Sequence, residues 1–322
     1  MATHGHAKQK SLLLLQRNSS ILESNHRLEK TAMPRGKSLN LYLMDGSVNG
    51  RVKCTLANWT GLAFKIPRTA LDLCKDRKEL KQTGVYFLFG KDEEHDKAVV
   101  YIGQASVRKN GDGILNRLQE HNSNPEKDYW TEAIAITTSN DSLGPTEISY
   151  LEHRFYQLAM EAKRYDVKNG VDPAQGNPSE EKQSELEDFI DYAKIVVGIL
   201  GHKVFVPLVE PTSADTVGTE EPMLLCVKNG VQATAIRTSD GFVVKKGSVL
   251  SMKPTKSCPE FVLKKREQYK NAIDENGVLQ EDVLFNTPSG ASSFVCAAST
   301  SGYVEWKTQD GRTLKQLEKA DN

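Results

Sequence analysis

The sequence of 322 residues predicts a mixed α/β fold, α+β in character, built on a small three-stranded antiparallel core flanked by helices. Three observations predict it. Two short runs rich in β-branched and aromatic residues, Gly84 to Gly90 and Ala98 to Gly103, bracket the polar loop Lys91 to Lys97 and read as a β-hairpin. A third such run, Trp130 to Thr138, follows them, and the segments around it carry apolar residues at helical spacing. Glycine, proline and shifts of composition divide the rest. The expected organisation is a flexible basic leader over 1–37, a small β-rich module over 38–82, the core over 83–170, a helix with linkers over 171–222, and a C-terminal α+β domain over 223–318.

The leader carries Lys8, Lys10, Arg17, Arg27, Lys30, Arg35 and Lys37 without sustained periodicity, so it has little to bury. Its only apolar run, Leu12 to Leu15, is too short for a signal-peptide core or a membrane span. From Leu39 the pattern changes to short strands, 39–44 and 48–56, around the turn Asp45-Gly46-Ser47. Pro67 ahead of Leu71, Cys74 and Leu80 suggests a helix with proline in its first turn. Five cysteines, Cys54, Cys74, Cys226, Cys258 and Cys296, form no close pair, which argues against common zinc-finger spacing and for free thiols. A cytoplasmic protein with no membrane partner is the expectation. The formal net charge of zero excludes a uniformly basic coat, so any contact with a polyanion must come from local patches.

In the core, side chains alternate across each strand, so Val85, Phe87 and Phe89 share one face and Tyr86 takes the other. The hairpin register can bring Tyr86 and Tyr101 together. Downstream, Ile114, Leu115 and Leu118 give a helix near 113–122 an apolar stripe, with Arg117 and His121 four apart on another face. A longer helix opens at Pro145 and runs to about Arg164, its buried stripe formed by Ile148, Leu151, Phe155 and Leu158. Glu152 lies at the edge of that stripe, where a carboxylate can face a cleft.

These residues carry a resemblance. Gly84-Val85-Tyr86 and Tyr101-Ile102-Gly103 at hairpin spacing, followed in order by Arg117, His121 and Glu152, resemble the GIY-YIG nuclease family, with valine in place of isoleucine in the first motif. The resemblance covers roughly residues 84–170. It implies that Tyr86 acts as the base and Tyr101 orients water or phosphate. It also implies that Glu152 is the single protein ligand of a divalent ion, Mg2+ or another such as Mn2+, with no organic cofactor. Arg117 offers a planar, permanently charged fork for phosphate oxygens, and His121 a hydrogen bond or a proton. Each has a simpler reading: tyrosine packing, an ion pair of Arg117 with Glu120 or Glu152, a structural histidine, an exposed glutamate. Lys97 and Lys109 stand near enough in sequence to support phosphate binding, and Asn169 is the counterpart of an asparagine that the family carries beyond the glutamate.

After the linker 167–178, Glu180 to Leu200 reads as an amphipathic helix with an acidic first half, and 207–222 as a second linker. The C-terminal domain begins with strands near 224–228, 232–238 and 241–245. Its Gly241-Phe242-Val243-Val244-Lys245-Lys246-Gly247-Ser248, Pro288-Ser289-Gly290-Ala291 and Gly302-Tyr303-Val304-Glu305-Trp306 resemble the DUF4357 domain, for which recognition of modified DNA has been suggested. Lys245, Lys246, Lys264, Lys265 and Arg266 make 245–270 locally basic and the expected nucleic-acid contact. The functional expectation is a metal-dependent endonuclease acting on DNA, directed to specific or modified sites. A catalytically silent nucleic-acid-binding or regulatory protein, or a structure-specific repair nuclease, are the alternatives.

Overall fold

A computed structural model describes residues 36–94, 97–107, 113–209, 224–228 and 230–320 of the chain. Nearly all of the expected basic leader, most of the second linker, and Lys109 lie outside the described residues. The described part from Leu39 onward belongs to one compact unit of mixed α and β structure.

Seven strands form one sheet in the order β1-β2-β3-β6-β4-β5-β7. They are β1 Leu39–Leu43, β2 Val52–Leu56, β3 Gly61–Pro67, β4 Gly84–Asp92, β5 Lys97–Ala105, β6 Trp130–Thr138 and β7 Asp166–Val167. The three strands expected of the core are therefore its middle, β6-β4-β5. The β-rich stretch before them joins the same sheet, because β3 pairs antiparallel with β6 from Gly61 opposite Thr138 to Pro67 opposite Glu132. Proline ends β3, where its missing N–H costs no ladder bond. The helix expected after it is a pair of 3-10 turns, Arg68–Cys74 and Lys78–Lys81. Leu71 and Cys74, the buried residues of the first, stand three apart, which matches a three-residue turn.

Period-two alternation sends side chains to two different cores. Val85, Phe87, Phe89, Val100, Ile102, Ile134 and Ile136 are buried with helices α2, Pro145–Ala162, and α3, Glu180–Ile199. Phe87, Phe155 and Phe205 meet there with ring centroids 5.0 to 5.2 Å apart, each pair worth about 0.5–1.5 kcal/mol beyond its buried area. On the opposite face Tyr86, Leu88, Ala133 and Ala135 pack with the 3-10 turns and with α1, Ile114–Asn122. Helix α2 starts at Pro145, in the first-turn position where proline costs nothing, and the Glu147 carboxylate accepts from the Gly144 N–H at 3.0 Å. It ends at Lys163 in the left-handed conformation, φ 53°.

The C-terminal region holds a four-stranded antiparallel sheet in the order β11-β10-β9-β8. Its strands are β8 Leu224–Lys228, β9 Val231–Thr238, β10 Gly241–Val244 and β11 Val283–Phe285. Helices α4 Glu260–Gln268, α5 Pro288–Cys296, α6 Gly302–Glu305 and α7 Leu314–Ala320 accompany it. Phe294 and Trp306 are fully buried at its centre. Among the described residues no helix is long and apolar enough to cross a membrane.

Candidate active site

The register of β4 against β5 sets Tyr86 opposite Gly103 and Leu88 opposite Tyr101, so the two tyrosines are diagonal neighbours on one face. Their ring centroids are 6.4 Å apart. The ring of Tyr86 lies flat across Gly103: a Cβ there would sit 2.3 Å from the phenol oxygen. At Gly84 a Cβ would sit 2.3 Å from the carbonyl oxygen of Ile136 on β6. Both glycines are thus set by close approach and not by an unusual backbone.

Helix α1 supplies the next two groups. His121 continues the stripe of Ile114 and Leu118 and is buried, 3% exposed. It therefore sits on the packed face, and Arg117 lies at that face's edge instead of sharing a separate one with it. The Tyr86 hydroxyl and His121 Nε2 are hydrogen-bonded at 2.7 Å, and the imidazole also meets Tyr101 edge to face, centroids 5.2 Å apart. Arg117 is half-exposed and donates from Nη1 to Glu120 Oε2 at 2.6 Å. One arm of the guanidinium is held by Glu120, and the group also interacts with the phenols of Tyr86 and Tyr101.

Helix α2, which packs on the other face of the sheet, brings Glu152 to Gln104 of β5. Gln104 Nε2 donates to Glu152 Oε2 at 2.9 Å, and Gln104 Oε1 accepts from Ser149 Oγ at 3.2 Å. Asn169 clamps the second tyrosine tripeptide: its Oδ1 accepts from the Ile102 N–H at 3.0 Å and its Nδ2 donates to the Ile102 carbonyl at 2.8 Å. Lys127, at the end of the 3-10 turn Pro125–Lys127, holds its ammonium 3.1 Å from the centroid of Tyr101.

The electrostatics follow from this burial. Desolvation and the neighbouring Tyr101 push the Tyr86 phenol well above its ordinary value, against the pull of Arg117. Burial also raises Tyr101. His121 is lowered to about 3, first by burial and then by the charges of Lys127 and Arg117, so its imidazole is neutral at physiological pH. Lys127 is lowered to about 8 by burial and by Arg117. Burial raises the Glu152 carboxyl, while Gln104 and the charge of Arg117 pull it down. The site therefore joins a neutral hydrogen-bonded phenol and imidazole, two cations and one desolvated carboxylate.

Among the described residues no cluster of three or more His, Cys, Asp or Glu side chains is assembled. A divalent ion here would have Glu152 as its protein ligand and would take its other oxygens from water and substrate. That suits Mg2+, which keeps most of its waters. A desolvated carboxylate with one hydrogen-bonded oxygen fits that donor set.

The residues expected to bind nucleic acid are not one surface. Lys264 is exposed and pairs with Glu260 one turn away at 2.9 Å. Lys265 is half-buried against Phe285 and Tyr269, its ammonium 4.8 and 5.7 Å from their centroids, and burial lowers it. Arg266 turns inward. It donates from Nε and Nη2 to the Phe294 carbonyl at 2.9 and 2.6 Å, and from Nη1 to the Ser251 carbonyl at 2.8 Å. The expectation of Arg266 as a phosphate contact is corrected: a guanidinium tied to the C-terminal carbonyls of α5 has no free fork. Lys245 pairs with Asp282 at 2.5 Å, and Lys246 holds the same carboxylate by its backbone N–H at 2.8 Å, leaving its side chain in solvent.

Gln104 and Lys127 were missed by sequence reasoning. Gln104 carried a signal, being the polar residue at the end of the parity Val100, Ile102, Gln104 that α2 covers; Lys127 carried none, since no local pattern aims a turn residue at a ring 26 positions earlier.

Residues 224–318 match the family described as a domain of unknown function, DUF4357. No curated protein and no solved structure matches the chain.

Proposed function

We propose that this chain is a metal-dependent endonuclease that hydrolyses DNA phosphodiester bonds at the Tyr86 site, with residues 83–170 acting as a GIY-YIG-type core. The observation that carries the reading is the 2.7 Å hydrogen bond between the Tyr86 hydroxyl and a buried, neutral His121, in a site shared with Arg117 and Glu152. Recognition of particular or modified DNA falls, on this reading, to residues 224–318.

A phenol raised by burial supplies no standing phenolate at neutral pH. The hydrogen bond offers another route. With the imidazole proton on Nδ1, Nε2 accepts the Tyr86 proton while the phenol oxygen takes a proton from the attacking water, so the pair relays one proton without isolating a charge on the phenol. The imidazolium that results is favoured once a phosphate anion offsets the charges of Lys127 and Arg117. Arg117, steadied by Glu120, binds the non-bridging oxygens, and Tyr101 is held beside the phosphate by Lys127. When bound at Glu152, a divalent ion supplies Lewis-acid stabilisation of charge on the departing oxygen.

The test is cleavage of duplex DNA by purified protein with Mg2+. Tyr86→Phe and Glu152→Gln should each slow cleavage by about 10²-fold or more, with circular dichroism and thermal midpoint near wild type for Glu152→Gln. Wild-type rates in either variant would overturn the mechanism.

A further inference from the structure

A second concave surface lies away from the tyrosines, where the C-terminal end of α2 and the start of β5 meet the loops after β10 and before β11. The open cleft has a volume of about 1410 Å³, beyond the roughly 300–1,000 Å³ of ordinary small-molecule sites. Several of its cations serve the fold. Arg164 and Lys203 both reach Asp240, in the turn between β9 and β10, the former at 2.6 Å. Lys245 is committed to Asp282, and Lys168 faces Asp92 at 3.4 Å.

Two others are left over, and two more meet a ring. Among the described residues Lys163 and Lys246 are exposed and have no ion pair, and Lys97 and Lys265 meet the ring of Tyr269, 5.6 and 5.7 Å from its centroid. Tyr165 lines the same cleft. Glu161, Asp166 and Glu281 also line it, so its charge is concentrated at these lysines and is not uniform. Lys163 and Lys246, exposed and without an ion pair, line a cleft too large for a small ligand together with Tyr165 and Tyr269, and a single nucleic-acid strand requires such cations for its phosphates and aromatic side chains beside its bases.

The geometry points to this cleft as a binding groove for single-stranded nucleic acid, separate from the Tyr86 site. It rests on the reading of the chain as one that acts on nucleic acid. The groove is tied to that site through α2, since Lys163 caps the helix that carries Glu152. The separation of 11 residues places the two about 16 Å apart along the helix axis.

Binding of a fluorescent 20-nucleotide oligothymidylate to the full chain, followed by anisotropy in magnesium-free buffer over a salt series, tests it. The variant Lys97→Gln/Lys163→Asn/Lys246→Gln removes three charges, and asparagine tolerates the left-handed backbone at 163. Affinity should fall about tenfold and the log–log salt slope by about 2, at roughly 0.7 for each phosphate no longer neutralised. Glu152→Gln should bind as wild type. Unchanged affinity and slope in the triple variant, or absence of binding by the wild type, would overturn the groove. So would a loss confined to a 20-base-pair duplex. Cleavage is a separate readout: a wild-type chain that cuts no DNA yet binds oligothymidylate through these lysines removes the nuclease reading and supports the groove.

Discussion

Arg117 and Arg266 are the same residue type in two regions that both read as phosphate-binding in the sequence, and their surroundings give them opposite duties. Arg117 lies at the rim of a cluster of buried polar groups, held by one carboxylate of its own helix. Arg266 is drawn under α5 and meets the Phe294 carbonyl, which the helix end leaves without a partner, and the carbonyl of Ser251. The contrast teaches that a run of positive charge is a weaker guide to a site than polar groups of different kinds brought together by separate elements. In the core, β4, β5 and α1 contribute Tyr86, Tyr101, His121 and Arg117 to one face of the sheet, and α2 adds Glu152 from the other. In the C-terminal region a single helix contributes three successive cations that point in three directions.

The largest expected effect tests the structural side of this contrast. Arg266→Ala should destabilise the protein by about 3 kcal/mol, because charge-assisted bonds are lost and buried carbonyls orphaned. Arg117→Ala should cost less than about 1 kcal/mol, as an exposed i,i+3 pair does, while abolishing cleavage. Chemical denaturation of both variants would measure this, and equal costs would erase the distinction. Gly103→Ala comes next. Its methyl must displace the Tyr86 phenol, costing about 2 kcal/mol as overpacking does, and it should lower cleavage together with stability.

His121 gives a smaller effect, read in pH. Its folded value is about 3 and its unfolded value about 6.5, so between them the unfolded chain binds a proton that the native chain does not. The stability contributed by neutral His121 is complete above pH 6.5 and is lost as pH falls toward 3. The stability difference between wild type and His121→Phe should therefore shrink by up to about 1.4 kcal/mol per unit below pH 6.5. Parallel curves from urea melts at pH 7.5, 6.0 and 5.0 would break the assignment of a buried neutral imidazole. The smallest effect belongs to Lys264→Gln, which removes one exposed i,i+4 pair and should leave the denaturation midpoint within error of wild type. A loss comparable to that of Arg266→Ala would show that the run acts as one unit.

Much of the core was legible because its signals are local. Alternation fixed the hairpin, and β6 occupies Trp130–Thr138 as its β-branched run implied. The shared face of Tyr86 and Tyr101 followed from parity. What could not be read was long-range. Nothing in Gly61–Pro67 says that it pairs with a strand some 70 residues later, so the first three strands looked like a separate module. The apolar spacing of Leu71 and Cys74 suits either an α-helix or a 3-10 turn. In the site, Asn169 fell in an ill-defined loop, and only the folded chain places its amide on the Ile102 backbone. The inward turn of Arg266 depends on where α5 ends, which its own helix does not encode.

Helix α2 runs 18 residues with no glycine or proline after its first position. It is therefore a stiff rod capped at both ends, by the Gly144–Glu147 contact and by the left-handed turn at Lys163. On the proposed reading it carries the ligand carboxylate Glu152 near its middle and the groove at its tip, and such a rod behaves as a ruler. A substrate whose single-stranded tail is gripped at the tip would be cut at a set offset from the junction, whatever its sequence. Product lengths would then be a property of helix geometry, and lengthening the rod by one turn would move the cut by a fixed increment.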